Sequence, residues 1–463
     1  ARFGERGQGS IDLNLDGSIG SSPAQLGLRV DGRQKSLGKR HIELSARLEN
    51  ASITRLLTQI TGSEFATVDT ASVDTLALNS SAAAMDLRLS GVPDELMSCA
   101  FALDGGGIRA DYDGKLRSAG DGIELDGGVR LSFDSLENAV TLAGLPRSGG
   151  LPKLPVTVVG ELARSGNSYR LTKAKARLGD SEFAGTFSLG RKDDKSTIAV
   201  VGEVNAASLP TVLAAMFEKP GAAPLVASSE VAAVASPWSS APLSFAAVER
   251  LSGRVDLTFE QLELVEGLSL ERARLAANLA GGKVEFETIE GSLLGGTLVT
   301  RVSVGPGDSG IVIAGTGEAR DLQLQALTET EGAPARARGS LAARFAWTSR
   351  GLDAAGLIDN LAGEGSIDVS AGTLDRLNPL MVDAASQSTL ANVSQLSVDG
   401  IRAEVESQRP LGSLAFPALS VAAKIDAGAL RLQTIVVDSK SLDLTVDTAL
   451  GLSNLALTSR WRV

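Results

Sequence analysis

Apolar and polar positions alternate in steps of two along most of the chain. Ile42, Leu44, Ala46 and Leu48 are interleaved with Glu43, Ser45, Arg47 and Glu49. Val255, Leu257 and Phe259 flank Asp256 and Thr258, Val284 and Phe286 precede Glu285 and Glu287, and Leu442-Asp443-Leu444-Thr445-Val446 repeats the phrase. In an extended strand successive side chains point to opposite faces, so this spacing predicts strands with one apolar and one wet face. Glycine-rich dipeptides separate the runs: Asp104-Gly105-Gly106-Gly107, Asp113-Gly114, Asp126-Gly127-Gly128 and Gly281-Gly282. Glycine adopts positive φ at little cost, so each predicts a tight turn, and strand–turn–strand repetition predicts an antiparallel meander.

Short helices punctuate the pattern. Leu209, Val212, Leu213 and Met216 fall at helical spacing within 205–219, with Ser208 as N-cap before Pro210. Ile53, Leu56, Leu57 and Ile60 do so within 50–62, with Gly62 as the stop. Segments 318–329 and 370–387 read the same way, each a strand-like run leading into a short amphipathic piece. The phrase recurs without a fixed period, so it is a degenerate repeat. The stretch 147–155 (RSGGLPKLP) reads as a bend, 219–250 as a Pro-, Ala- and Ser-rich connection, and 331–340 as a weaker boundary. The expected organisation is therefore N-terminal β-rich repeats over 1–150, a β repeat segment over 151–218, the connection 219–250 and C-terminal β repeats over 251–463.

Composition sharpens this. Apolar residues are 43% and charged residues 21%, a foldable balance, while aromatics are only 4% and glycines number 51. Many turns and little bulky filler follow. The net charge of −11 and pI of about 4.9 argue against nucleic acid and against a polybasic membrane-surface role. One cysteine and one histidine leave no Cys/His zinc site and no internal disulfide. Cys99 lies in an apolar run and reads as core. No apolar run reaches the roughly 18 residues of a membrane-spanning helix. The strand pattern is already under way at the first residue and continues to the last, so the sequence is expected to be a fragment, with any anchor outside it.

The candidate chemistry is thin. Leu178-Gly179-Asp180-Ser181 superficially resembles a lipase block, but His41 lies far upstream. Residues 104–107 lack the Gly-Lys-Ser/Thr of a phosphate loop. Asp111, Asp113 and Asp121 have some calcium-loop flavour, without the spacing or the closing Glu. The mixed-sign run 190–196 reads as a solvated hairpin tip. No enzyme activity, cofactor or metal is expected.

Four blocks resemble the AsmA family. Residues 237–264 (PWSSAPLSFAAVERLSGRVDLTFEQLEL) open on Pro237-Trp238-Ser239, and a helical turn leads to a Gly and a strand. Residues 267–304 carry Gly281, Gly282, Gly291, Gly295 and Gly296, residues 361–379 carry Gly363, Gly365 and Gly372, and residues 176–213 carry Gly179-Asp180-Ser181 and Gly185. The blocks cover most of 155–380. The resemblance implies a periplasmic protein of the Gram-negative cell envelope, anchored to the inner membrane through a segment not in this chain. AsmA-like and TamB-like proteins are similar in outline to bridge-like lipid transfer proteins. That implies a mainly β fold: an elongated, curled antiparallel β-sheet, groove- or taco-like, with short interspersed helices.

The implied function is moving or holding phospholipids between inner and outer membranes and supporting outer-membrane integrity. The implied partners are phospholipid acyl chains and outer-membrane components. An open apolar stripe costs roughly 25 cal/mol per Å² in water, and acyl chains match it at about 0.8 kcal/mol per buried CH₂. About 25 strands at about 4.8 Å spacing would extend such a stripe by on the order of 100 Å. The expected lining is Leu44, Ala46, Leu48, Val255, Leu257, Phe259, Val284 and Phe286. The alternatives are an ordinary sandwich or barrel whose apolar faces pack on each other, a structural or adhesive β-rich envelope protein without lipid transport, such as a secreted β-helix, and an assembly factor for outer-membrane proteins.

Overall fold

The structure is a computed structural model. It describes residues 2–6, 10–19, 22–31, 36–52, 82–119, 122–142, 154–192, 195–212, 238, 240, 242–243, 245–265, 267–308, 310–328, 335–391, 397–439, 442–454 and 456–462. Residues 53–62 of the helix expected at 50–62, most of the bend at 147–155 and most of the connection at 219–250 lie outside these residues, as does the part of the 205–219 helix beyond 212. Residues 50–52 and 205–208, expected as helix, instead end strands His41–Ser52 and Lys195–Ser208.

The chain is mainly β, in antiparallel sheet with short interspersed helices, as the alternation predicts. It divides into two compact units. The first comprises Ala1–Pro220, Ala246–Glu260 and Leu279–Gly282, the second Gly221–Phe245, Gln261–Asn278 and Lys283–Val463.

In the first unit, strands from Arg2–Arg6 to Lys195–Ser208 pair antiparallel, each with the next in sequence. Such ladders need only short turns, because antiparallel neighbours join through hairpins. The run Asp104–Gly107 makes one, with Gly105, Gly106 and Gly107 all at positive φ. The lipase-like block is another hairpin: Leu178 pairs with Ser181, and Gly179 sits at φ +58. Lys192 pairs with Lys195 at the charged tip. Arg250 accepts from the Ser196 N–H at 2.9 Å, which ties Leu251–Glu260 to this unit.

Two expected turns are not turns. Asp113-Gly114 lies inside strand Ile108–Ala119 and Asp126-Gly127-Gly128 inside strand Gly122–Phe133, where Gly114 pairs directly with Gly127. The glycines serve close approach instead: a Cβ on Gly114 would lie 2.5 Å from the Gly127 Cα and 2.6 Å from the Tyr112 hydroxyl.

In the second unit, strands from Lys283–Leu293 to Ala456–Arg462 form a second run of sequential antiparallel pairs. Gly281 and Gly282 form the predicted turn before it, at φ +59 and +76. Strand Gly310–Gln323 leads into helix Leu324–Thr328, and strand Ala362–Asp375 into helix Met381–Ala391, as the strand-then-helix phrase predicts. The Trp238 indole N–H donates to the Leu452 carbonyl at 2.7 Å, and the Leu243 N–H to Leu352 at 2.8 Å. Trp238 and Leu243 are thereby tied to the residues that follow strands Leu442–Gly451 and Ala337–Gly351.

Candidate functional site

The expected lining residues fall where the alternation puts them. Leu44, Ala46 and Leu48 are half-buried while Glu43, Ser45, Arg47 and Glu49 are exposed. Val255 and Leu257 are half-buried and Phe259 buried. Val284 and Phe286 are buried, with Glu285 and Glu287 exposed between them.

Pairing register extends this from strands to a surface, because directly paired residues share a face. Ala24 pairs with Leu48, Leu48 with Met85, Met85 with Leu103 and Leu103 with Ala110. Ala110 pairs with Leu131, Leu131 with Val158, Val158 with Ala176, Ala176 with Phe183 and Phe183 with Val204. This row crosses consecutive strands of the first unit without one polar side chain. Leu28, Leu44, Leu89 and Cys99 start a parallel row, and Leu26, Ala46, Leu87, Phe101, Tyr112 and Val129 a third. Nine strand intervals at about 4.8 Å give the first row a length of roughly 43 Å.

The opposite face is written in charge. Asp12, Arg29, Glu43, Ser90, Ser98, Lys115 and Asp126 pair in series. Arg29 bonds Asp31 at 3.3 Å and lies 3.8 Å from Asp12. These pairs are exposed and contribute little to stability, but they keep that face solvated.

The apolar rows are part-covered rather than sealed. Ala83, Leu103, Ile108, Ala110, Phe133 and Val156 form a buried cluster, against which Leu136 and Ala139 of helix Leu136–Leu142 pack. Leu48, Met85, Leu131 and Val158 of the row pack against it and stay half-buried, as do Ala24, Ala176, Phe183 and Val204, which are not part of it. Among the described residues of the first unit, no second sheet packs over them.

The second unit repeats the arrangement. Phe286, Val302, Gly315, Trp347, Gly363, Ile425, Leu430 and Leu450 pair in series. The rings lie down on glycines. A Cβ on Gly315 would stand 2.5 Å from the Trp347 ring, and one on Gly365 2.5 Å from the Phe345 ring. Phe183 covers Gly202 in the same way in the first unit, and Phe416 covers Gly372 in the second. Rings laid flat on glycines fill the gap a missing side chain leaves and keep the face low. An open hollow of about 1620 Å³ in the second unit takes lining from both faces, with Phe345 and Trp347 beside Glu285, Arg301, Glu318 and Arg344. Four glycines, at 315, 317, 363 and 365, contribute only backbone to that lining.

The titratable groups belong to these faces. Burial pushes the Tyr112 phenol up to about 12, and its hydroxyl donates to the Lys115 carbonyl at 3.0 Å. Burial also raises the Cys99 thiol, helped by Asp113. On the polar side, hydrogen bonds from Arg320 and then Arg344 hold Glu318 down at about 2. His41 is exposed, with Nε2 3.3 Å from the Ser90 hydroxyl. Asp111 and Asp113 are exposed on one strand face. Among the described residues, no three Cys, His, Asp or Glu side chains cluster as a metal site, and no helix is long and apolar enough to cross a membrane.

The rows continuing from Leu48 were not singled out in the sequence, because register between strands is not written in either strand alone. A family model described as the AsmA family matches residues 205–435. No curated protein and no solved structure matches the chain.

Proposed function

Since the chain belongs to the AsmA family through residues 205–435, we propose that its apolar sheet faces hold the acyl chains of phospholipids. The protein is then a lipid-binding scaffold of the cell envelope. It sits in the periplasm, is attached at the inner membrane, and moves or retains lipid on the way to the outer membrane. The observation that carries this reading is the unbroken apolar row from Ala24 to Val204, most of it half-buried.

The energetics favour an aliphatic occupant. A contiguous apolar stripe is costly in water, and each methylene laid on it recovers about 0.8 kcal/mol. A bilayer core about 30 Å thick gives each leaflet's chain roughly half that length, so the row accommodates more than one chain end to end. The charged reverse face keeps water and headgroups to its own side.

The test is chemical. The protein, purified in mild detergent, is extracted and its lipid measured by mass spectrometry. Photo-crosslinking residues at Leu44, Leu131 and Phe286 are expected to capture phospholipid, and one at exposed Lys175 to capture none. A folded preparation that carries no lipid and cross-links to none would leave the structural reading in its place.

A further inference from the structure

Strands Ala362–Asp375 and Ser413–Asp426 pair directly up to Asp375 opposite Ser413. The described residues between them, 376–391 and 397–412, therefore stand outside this ladder at its Asp375–Ser413 end. The neck is stapled: the Asn378 N–H donates to the Arg409 carbonyl at 2.9 Å, and the Asn378 side-chain amide to the Gln408 carbonyl at 3.3 Å. Arg376 turns the chain at φ +62.

Beyond the neck, helices Met381–Ala391 and Val398–Gln408 pack against each other. Leu377 and Met381 are buried against Val369, Leu414 and Phe416, with Val405 packed beside them. Those sheet residues belong to the apolar face: Leu322, Leu341, Val369 and Leu419 pair in series, and Leu374 pairs with Leu414. The excursion thus lies where lipid would lie in this unit. Its outer side is mixed: Val398 is 76% exposed and Leu411 70%, beside the exposed ion pairs Arg402–Asp399 and Arg409–Glu406. Helix Val398–Gln408 buries no residue of its own. An element that covers a face through so few anchors has the low local stability of a part that opens.

We infer that residues 376–391 and 397–412 act as a lid that competes with acyl chains for the apolar face of the second unit. The inference rests on the lipid reading above. Leu377 and Met381 stand in for chain methylenes when the face is empty, and a bound chain displaces them.

The test replaces residues 376–412 by Asn-Gly, a two-residue turn that suits paired strand ends. Binding of a dansyl-labelled fatty acid is followed by fluorescence in the full chain and in the lidless chain. Removing a competing closed state strengthens apparent binding by the fraction it occupied, so a gain of about fivefold or more is expected. Equal or weaker binding by the lidless chain would overturn the lid and leave the lipid reading standing. No binding by either chain would remove both. If circular dichroism shows the lidless chain unfolded, hydrogen exchange in the intact protein decides. Adding the probe is then expected to speed exchange in Val398–Gln408 several-fold, with strand Ser413–Asp426 still protected. Unchanged exchange in a chain that has bound the probe ends the proposal.

Discussion

The Trp347 ring lies over Gly315, its direct partner on the neighbouring strand, so closely that a Cβ there would meet ring carbons at 2.5 and 2.6 Å. Gly317 lies under the same ring, 3.2 Å from its Cζ3 by the same measure. Gly315→Ala is therefore expected to force the ring off the sheet, at about 1–3 kcal/mol for an overpacked site. Chemical denaturation measures the loss. Trp347→Leu in the same chain should return most of it, because the clash has one partner. Additive losses in the double variant would show that the contact is not the cause.

The row through Leu103 predicts two separable effects. Leu103 is 3% exposed inside a buried cluster, so Leu103→Ala should cost about 2–5 kcal/mol in denaturation. Leu48 and Val158 are half-buried on the same face. Leu48→Asp and Val158→Asp should lower co-purified phospholipid several-fold with the fold retained. Lys175→Asp, an exposed charge change, should leave lipid content unchanged. Equal lipid in all three would detach the row from binding.

Individual strands were legible because alternation of two is a local code. Leu44 beside Glu43, or Val284 beside Glu285, states its face without reference to anything distant. Three things escaped it. The pairing of Gly114 with Gly127 looks like two turns, since a glycine needed for close approach has the same letter as one needed for positive φ. The bulges break the period: Leu171 and Ala174 share a face though three residues apart, because the ladder slips between them and Lys173 turns at φ +49. The same three-residue step joins Leu48 to Ala51 and Ala319 to Leu322, and on paper it imitates a helix. The candidate site was legible only as separate strands, because the rows depend on register, which hairpin ends fix.

Tyr112 supplies a pH signature. Its phenol is 9% exposed and held at about 12 because burial disfavours the phenolate, above the usual 10. A raised pKa means the protonated form is the one the fold favours. The stability linked to it is fully present below pH 10 and is lost as pH rises through about 12. The chain has two tyrosines, Tyr112 and Tyr169. Ultraviolet titration should show a phenolate step delayed to near 12, missing in Tyr112→Phe. A single step near 10 in both proteins would place Tyr112 in water.

Glu318, on the polar face of the second unit, gives the opposite sign. The Arg320 and Arg344 guanidiniums each donate to it at 2.8 Å, and hydrogen bonding to these two holds its carboxyl at about 2 rather than 4.5. Arg344 and Glu318 lie on paired strands, so the contact marks register as well as charge. A lowered pKa means the linked stabilisation is present above pH 4.5 and disappears as pH falls through about 2. Arg320 and Arg344 are exposed and Glu318 is about one-third exposed, and salt screens such surface pairs, so the energetic share is small and the spectroscopic signature is the useful one. The Glu318 carboxyl carbon should titrate near 2 by NMR at low salt. Arg320→Ala should move that titration upward more than Arg344→Ala does, because the Arg320 hydrogen bond is the larger of the two causes. A Glu318 that titrates at its ordinary value in the parent chain would mean that neither contact persists in solution.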